Sequence, residues 1–131
     1  MKKGFTLIEV IIVLGIIAVI TSIAIPNFTA IRDNSKKKAD IQSCEVIKRT
    51  VMMLMADDTI MLSDNSKINF NPNNEKDKIS GNISGDEKNA LEEALDDVKT
   101  PQLKKEDTYT ISLEKKKVKV NLTYNEDIGT K

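Results

Sequence analysis

The sequence predicts an α+β chain. A long N-terminal α-helix, transmembrane in its first half and amphipathic in its second, precedes a small C-terminal head of one short helix and an antiparallel β-hairpin or sheet. Three observations carry this. Val10 to Ile31 is an uncharged run of 22 residues rich in Ile, Val, Leu and Ala. Apolar residues then recur at three- and four-residue intervals as far as Met55. Near the C-terminus two stretches alternate apolar with polar residues around a lysine-rich turn.

A helix over the uncharged run is about 33 Å long, enough to cross the hydrocarbon core of a bilayer. Glu9 stands at the edge of that run. A carboxylate inside a membrane span is costly and as a rule functional. A secretory signal peptide is the competing reading, with Met1-Lys2-Lys3 as its basic start and Ser22-Ile23-Ala24 as its cleavage site. Glu9 within the apolar segment argues against it. Lys2 and Lys3 flank one end of the run, and Arg32, Lys36, Lys37 and Lys38 flank the other, so charge counting gives no orientation. Pro26 lacks an N–H and leaves the Ser22 carbonyl without its helical donor; a kink is expected, with the Thr21 and Ser22 hydroxyls free to compensate.

Beyond the span, Ile41, Cys44, Ile47 or Val51, Leu54 and Met55 mark one helix face, while Lys36, Lys37, Asp40, Glu45 and Arg49 face elsewhere. No Gly or Pro interrupts before Asp57-Asp58, so one helix is expected from about Phe5 to Ala56. Cys44 and the Met52-Met53-Met55 cluster read as core filler. Ser63 to Gly85 has loop composition, with strand-like pieces at Lys67–Phe70 and Lys78–Ile83. Asp64, Asn71, Asn73, Asn74, Glu75 and Asp77 fit no EF-hand spacing, and a solvated turn is expected there rather than calcium.

Ser84 and Glu87 form a capping-box signature opening a short helix with Leu91, Leu95 and Val98 on one face, ending before Pro101. Tyr109, Ile111 and Leu113, then Val118, Val120, Leu122 and Tyr124, alternate with polar residues around the Glu114–Lys117 turn. A lone hairpin is marginal in water, so hairpin and short helix are expected to lie across the apolar stripe of the long helix.

Composition excludes much chemistry. Lys+Arg and Asp+Glu both number 20, so the formal charge is zero, unlike a dedicated nucleic-acid protein. With no His and one Cys, histidine catalysis, a cysteine zinc site and an internal disulfide are all excluded. No phosphate-cradling loop or nucleophile elbow occurs. The adjacent acids Asp57-Asp58, Glu92-Glu93 and Asp96-Asp97 point apart on a helix. No enzyme activity, cofactor or metal is expected. Lys115-Lys116-Lys117 and Lys119, near Tyr109 and Tyr124, offer a weak DNA-binding reading; a solvated edge that discourages strand pairing is preferred.

Lys3-Gly4-Phe5-Thr6-Leu7-Ile8-Glu9, followed by the apolar run and Pro26, resembles the class III leader of type IV pilins and pseudopilins. The resemblance covers about the first 30 residues and implies the following. A prepilin peptidase cuts the Gly4–Phe5 bond on the cytoplasmic side and methylates the new amine of Phe5. Residues 1–4 are then the leader, 5–31 the transmembrane and polymerising part of the helix, and 32–131 the extracytoplasmic head. Glu9 and Phe5 dock neighbouring subunits, the carboxylate meeting a neighbour's terminal amine. Local unwinding near Pro26 accompanies assembly, although Ala18 stands where many members have a glycine. The partners implied are the peptidase and methylase, an assembly platform and motor, and other pilin subunits. The subunit waits in the cytoplasmic membrane, N-terminus inside, before joining an extracellular filament. The function implied is a type IV pilus subunit, major or minor, serving adhesion or motility. Alternatives are a pseudopilin of a secretion or DNA-uptake machine, or a single-pass anchored domain that never polymerises.

Overall fold

The computed structural model describes residues 3–123. The chain divides into two compact units, Met1–Ser35 and Lys36–Lys131. Helix α1 (Leu7–Ala56) provides the helical backbone of the first unit and the opening element of the second.

Its N-terminus lies two residues later than the hydropathy suggested. Thr6 takes the N-cap position: the Glu9 N–H donates to Thr6 Oγ1 (3.3 Å) and the Thr6 N–H donates to Glu9 Oε2 (2.8 Å). These reciprocal bonds satisfy two donors that a helix start otherwise leaves open. Phe5 is therefore left outside the helix.

The C-terminus at Ala56 is as expected, and its geometry gives the reason. Asp58 adopts the left-handed conformation (φ 54°). The Thr59 N–H then donates to the Leu54 carbonyl (2.9 Å) and the Asp58 N–H to the Met55 carbonyl (3.3 Å). This is the Schellman pattern, with aspartate in the place usually held by glycine. Ile60 follows directly and is buried in the core.

The second unit holds a four-stranded antiparallel sheet of order β2-β1-β3-β4, formed by β1 (Lys67–Phe70), β2 (Ile79–Gly81), β3 (Tyr109–Glu114) and β4 (Lys117–Leu122). Only the hairpin β3–β4 had been clear from alternation. The expected Lys67–Phe70 piece forms in full, and the Lys78–Ile83 piece shortens to Ile79–Gly81. Gly81 ends it at φ +127°, where a Cβ would come within 2.4 Å of the Lys67 carbonyl oxygen. No side chain fits that approach. The expected strand residue Tyr124 lies outside the described residues.

Register explains why one sheet face is apolar. Ile68 pairs with Ile111, Phe70 with Tyr109, Leu113 with Val118, and Tyr109 with Leu122. All of these are buried, and Phe70 and Tyr109 stack with ring centroids 6.0 Å apart. Helix α2 (Gly85–Ala94) adds Leu91 and its C-cap residue Leu95 to the same core, and α1 adds Ile47 and Val51. The Ser84 box forms as read: the Ser84 N–H and Oγ donate to Glu87 Oε2 (3.2 and 2.6 Å). Glu87 Oε1 also accepts the Met61 N–H (2.8 Å), tying the segment after α1 to the start of α2. Hydrogen bonding from Ser84, then from the Met61 and Ser84 N–H groups, holds the Glu87 carboxyl below its usual range.

Two residues of α1 depart from the expected stripe. Ile41 is 47% exposed, whereas Asp40, expected to face away, is 1% exposed. Its Oδ1 accepts the Gln102 N–H (2.6 Å) and its Oδ2 the Leu103 N–H (3.1 Å). A helical carboxylate thus binds the backbone of the connection between α2 and β3, something apolar periodicity does not register. Cys44 and Met55 pack partly buried against the core, in line with their reading as filler, and Leu54 of the expected stripe does the same. Met52 and Met53, read as filler too, are instead exposed at 51% and 71%. Burial, and then the Asp40 and Glu45 carboxylates, push the Cys44 thiol up to about 11, which keeps it protonated and unreactive at neutral pH.

Because Ile47 and Val51 lie within the core, a fragment beginning at Lys36 is expected to unfold cooperatively on heating. One beginning at Leu62 loses both, at roughly 1.5–3 kcal/mol for each buried side chain, and with them the partial packing of Cys44, Leu54 and Met55. Circular dichroism should then show no cooperative transition, and a sharp one would contradict this division of the core.

Candidate functional site

The expected cleavage bond, Gly4–Phe5, lies immediately before the Thr6 cap and outside α1. Both residues are exposed, Phe5 at 91%. A Cβ added at Gly4 meets nothing within 4 Å, so nothing in the fold itself calls for glycine there. Glu9 sits one turn into the helix. One carboxylate oxygen, Oε2, is taken by the Thr6 N–H, and Oε1 makes no hydrogen bond among the described residues. Gly4, Phe5 and Glu9 are thus brought together at one helix start, whereas Pro26 lies well inside α1.

Thr6 is the member that the sequence reading missed. Thr6-Leu7-Ile8-Glu9 is an [ST]-x-x-E signature of the kind recognised at Ser84–Glu87, but Glu9 had been weighed only as a charge.

Pro26 lies inside α1, which continues through it. The neighbouring hydroxyls do not compensate for its missing donor. Thr21 Oγ1 donates to the Ile17 carbonyl (2.7 Å) and Ser22 Oγ to the Val19 carbonyl (2.7 Å), each one turn back. A hydroxyl in a helix reaches backward, so neither side chain can serve a carbonyl at or beyond its own position. The span itself is a helix long and apolar enough to cross a membrane.

Residues 1–25 match the family described as the prokaryotic N-terminal methylation motif. Across 122 residues the chain is 38% identical to prepilin peptidase-dependent protein A of Clostridium perfringens, covering 92% of this chain and 85% of the relative. The chain belongs to the type IV pilin-like family. No solved structure matches it. Membership accounts for the architecture, a long apolar helix leading into an α+β head, and it fits a membrane-anchored protein.

The pilin-like head carries a second surface of interest. Lys48, Lys116 and Lys117 rim a groove of about 570 Å³ that includes Met52, Met55 and Val118 among its lining. Lys119 lines it too, but is paired with Glu114 (2.7 Å). Lys115 and Lys116 form the two-residue loop between β3 and β4, with φ of 50° and 63°. Two consecutive positive φ values specify a type I′ turn, which favours Asn-Gly. Lysine in the left-handed region costs on the order of 1 kcal/mol or more per residue. The Lys116 N–H donates to Asp64 Oδ1 (3.1 Å), which helps to hold the turn. Tyr109 is fully buried, with its O–H donating to the Lys99 carbonyl (3.0 Å), so it offers no stacking surface to a nucleic-acid base. Among the described residues no group of three or more His, Cys, Asp or Glu side chains is placed to hold a metal ion.

Replacing Lys115-Lys116 by Asn-Gly should relieve the turn and stabilise the head by about 1 kcal/mol. The check is a denaturant midpoint that rises with an unchanged slope. An unchanged or lower midpoint would show that the lysines are not strained there.

Proposed function

We propose that this protein is a structural, non-enzymatic subunit of a type IV pilus filament. A prepilin peptidase cleaves it at Gly4–Phe5 and methylates Phe5, and assembly then proceeds through the N-terminal helices. The observation that carries the reading is the N-terminal methylation motif over residues 1–25. The dependence on prepilin peptidase in the name of the Clostridium perfringens relative supports it. So does the helix start. An exposed glycine outside α1, which the fold does not require, suits a bond that an enzyme must approach closely.

Before assembly the subunit is held in the cytoplasmic membrane by residues 5–31, N-terminus inside, with residues 32–131 as the extracytoplasmic head. A platform and motor made of other proteins extract it into a polymer with copies or relatives of itself. Glu9 docks the next subunit: with Oε2 engaged by the cap, Oε1 remains to accept a neighbour's methylated amine. Pairing two charges in an apolar filament core removes a large desolvation penalty and fixes the axial register between subunits. Adhesion or motility is the filament's proposed role. A pseudopilin of a secretion or DNA-uptake machine shares the same processing, but burial of Tyr109 gives the DNA reading no support.

Intact-mass measurement of membrane-extracted protein should give a mature chain starting at Phe5 and carrying one methyl group. A start at Ile25 would establish the signal-peptide reading instead.

A Glu9→Leu variant should insert and be processed normally but fail to appear in shear-released filaments, because each added subunit would bury an unpaired ammonium. Glu9→Gln separates charge from capping, since its amide oxygen can still accept the Thr6 N–H. It should fail as Glu9→Leu does. Normal filament yield from Glu9→Gln would make Glu9 a helix cap and nothing more.

A further inference from the structure

We propose that the lysine-rimmed groove beside the β3–β4 turn docks the acidic end of the head of a second copy of this chain, in a head-to-tail contact. The inference rests on the filament reading above.

The two faces lie at opposite ends of the sheet. The basic end follows the Glu114–Lys117 pair, the last of the β3–β4 ladder. At the other end Tyr109 pairs with both Phe70 and Leu122. The Asn71 N–H there donates to the Lys78 carbonyl (2.7 Å), which places Lys78 beside Phe70. Lys78 Nζ in turn holds Asp96 (2.9 Å), and the Tyr109 O–H reaches Lys99. The acidic segment that closes α2 is thereby fixed at the Tyr109 end. From Tyr109 to Glu114 the strand rises about 17 Å.

Each end carries charged side chains that make no ion pair among the described residues, with Asp64 also beside the basic turn and Lys99 two residues after Asp97. Lys48, Lys116 and Lys117 make no ion pair among the described residues. At the far end Glu93 and Asp97 are exposed, and their carboxylates accept no hydrogen bond there. Once cut at Gly4–Phe5 the subunit loses Lys2 and Lys3 and keeps 18 basic and 20 acidic side chains, close to balance. A nearly neutral subunit with opposite charges at opposite ends is complementary to itself. Because the two faces differ, the contact is heterologous, and a heterologous contact whose rotation does not close builds an open helical polymer. The groove also has an apolar part in Met52, Met55 and Val118, which suits Ala94, exposed beside Glu93. Lysine at the second left-handed turn position is explained as well: glycine at 116 would make the better turn and would remove charge from the rim.

The test uses full-length chains in cells lacking the wild-type copy. The readout is the ratio of shear-released filament to processed, membrane-retained subunit. Lys116→Glu with Lys117→Glu sets acid against acid, and Glu93→Lys with Asp97→Lys sets base against base. Like charges facing across an interface are strongly unfavourable, so each double variant should lower the ratio by at least about tenfold. Combining all four substitutions restores opposite charges and should bring the ratio back to within about twofold of wild type. All four positions are exposed, and normal leader processing together with an unshifted thermal midpoint checks that each variant folds. Wild-type yield from either double variant overturns the contact while leaving the filament reading intact. Loss in both doubles without recovery in the quadruple variant also overturns it. Absence of shear-released filament from the wild type removes the filament reading and this contact with it.

Discussion

The head is organised around the insertion of Ile47 and Val51 into the sheet's apolar face. Neither has any exposed surface, and both belong to the helix that opens the chain rather than to the sheet they cover. A four-stranded sheet with one apolar face is unstable in water until that face is covered. Here α2 and its C-cap contribute only Leu91 and Leu95 as fully buried cover. Fully burying an aliphatic side chain is worth roughly 1.5–3 kcal/mol, against a total stability of about 5–15 kcal/mol for a small domain. Two such residues from α1, with Cys44, Leu54 and Met55 packed beside them, are of the order of that whole margin. The helix is therefore a structural part of the head.

Asp40 is the polar counterpart of this apolar seam. The connection from α2 to β3 passes through Pro101 and makes no regular ladder, so its N–H groups need acceptors from elsewhere. Asp40 accepts two of them, and the Tyr109 O–H donates to a carbonyl of the same connection. Burying a carboxylate is unfavourable unless hydrogen bonds replace its water, and charge-assisted bonds to backbone N–H groups are among the strongest available. Burial pushes the Tyr109 phenol up to about 12, against a smaller downward pull from hydrogen bonding with Ser43, and the nearby Asp40 carboxylate adds a still smaller upward push. Tyr109 thus remains a hydrogen-bond donor throughout the neutral range, and the connection stays fastened from both sides.

What was legible in the sequence follows from the range of the forces involved. Local patterns came through: the end of α1 at Ala56, the Ser84–Glu87 box, the β3–β4 hairpin, and the burial of Leu91 in α2 and of Leu95 at its C-cap. Val98, expected on the same face, falls beyond the helix, only half buried. The full sheet was not legible, because β1 and β2 have four and three residues and owe their existence to pairing with distant partners. Asp40 was misjudged for the same reason. A periodicity argument assigns charged residues to the solvent, and only the folded chain shows the Gln102 and Leu103 N–H groups waiting for this one. The N-terminal methylation motif was legible because its residues are contiguous, and Gly4, Phe5 and Glu9 lie within it. Thr6 lay within it and was passed over.

The helix start therefore leaves one carboxylate available for two purposes, the cap it forms and the docking proposed for it. A glutamate at the third position of a helix completes a cap using a single oxygen, as Glu9 does with the Thr6 N–H and as Glu87 does at Ser84. In the head the second oxygen of Glu87 is already taken by Met61, and the result is a purely structural tie. At Glu9 the second oxygen is left open among the described residues. The helix dipole places partial positive charge at this same terminus and favours a carboxylate there. Capping thus lowers the cost of carrying Glu9 at the head of an apolar span without consuming its capacity to bind. A carboxylate held in one orientation by its own helix loses less freedom when it meets a partner than one that must first be ordered. The capping box and the proposed docking role are in this sense one device, and Thr6 is as much a part of it as Glu9.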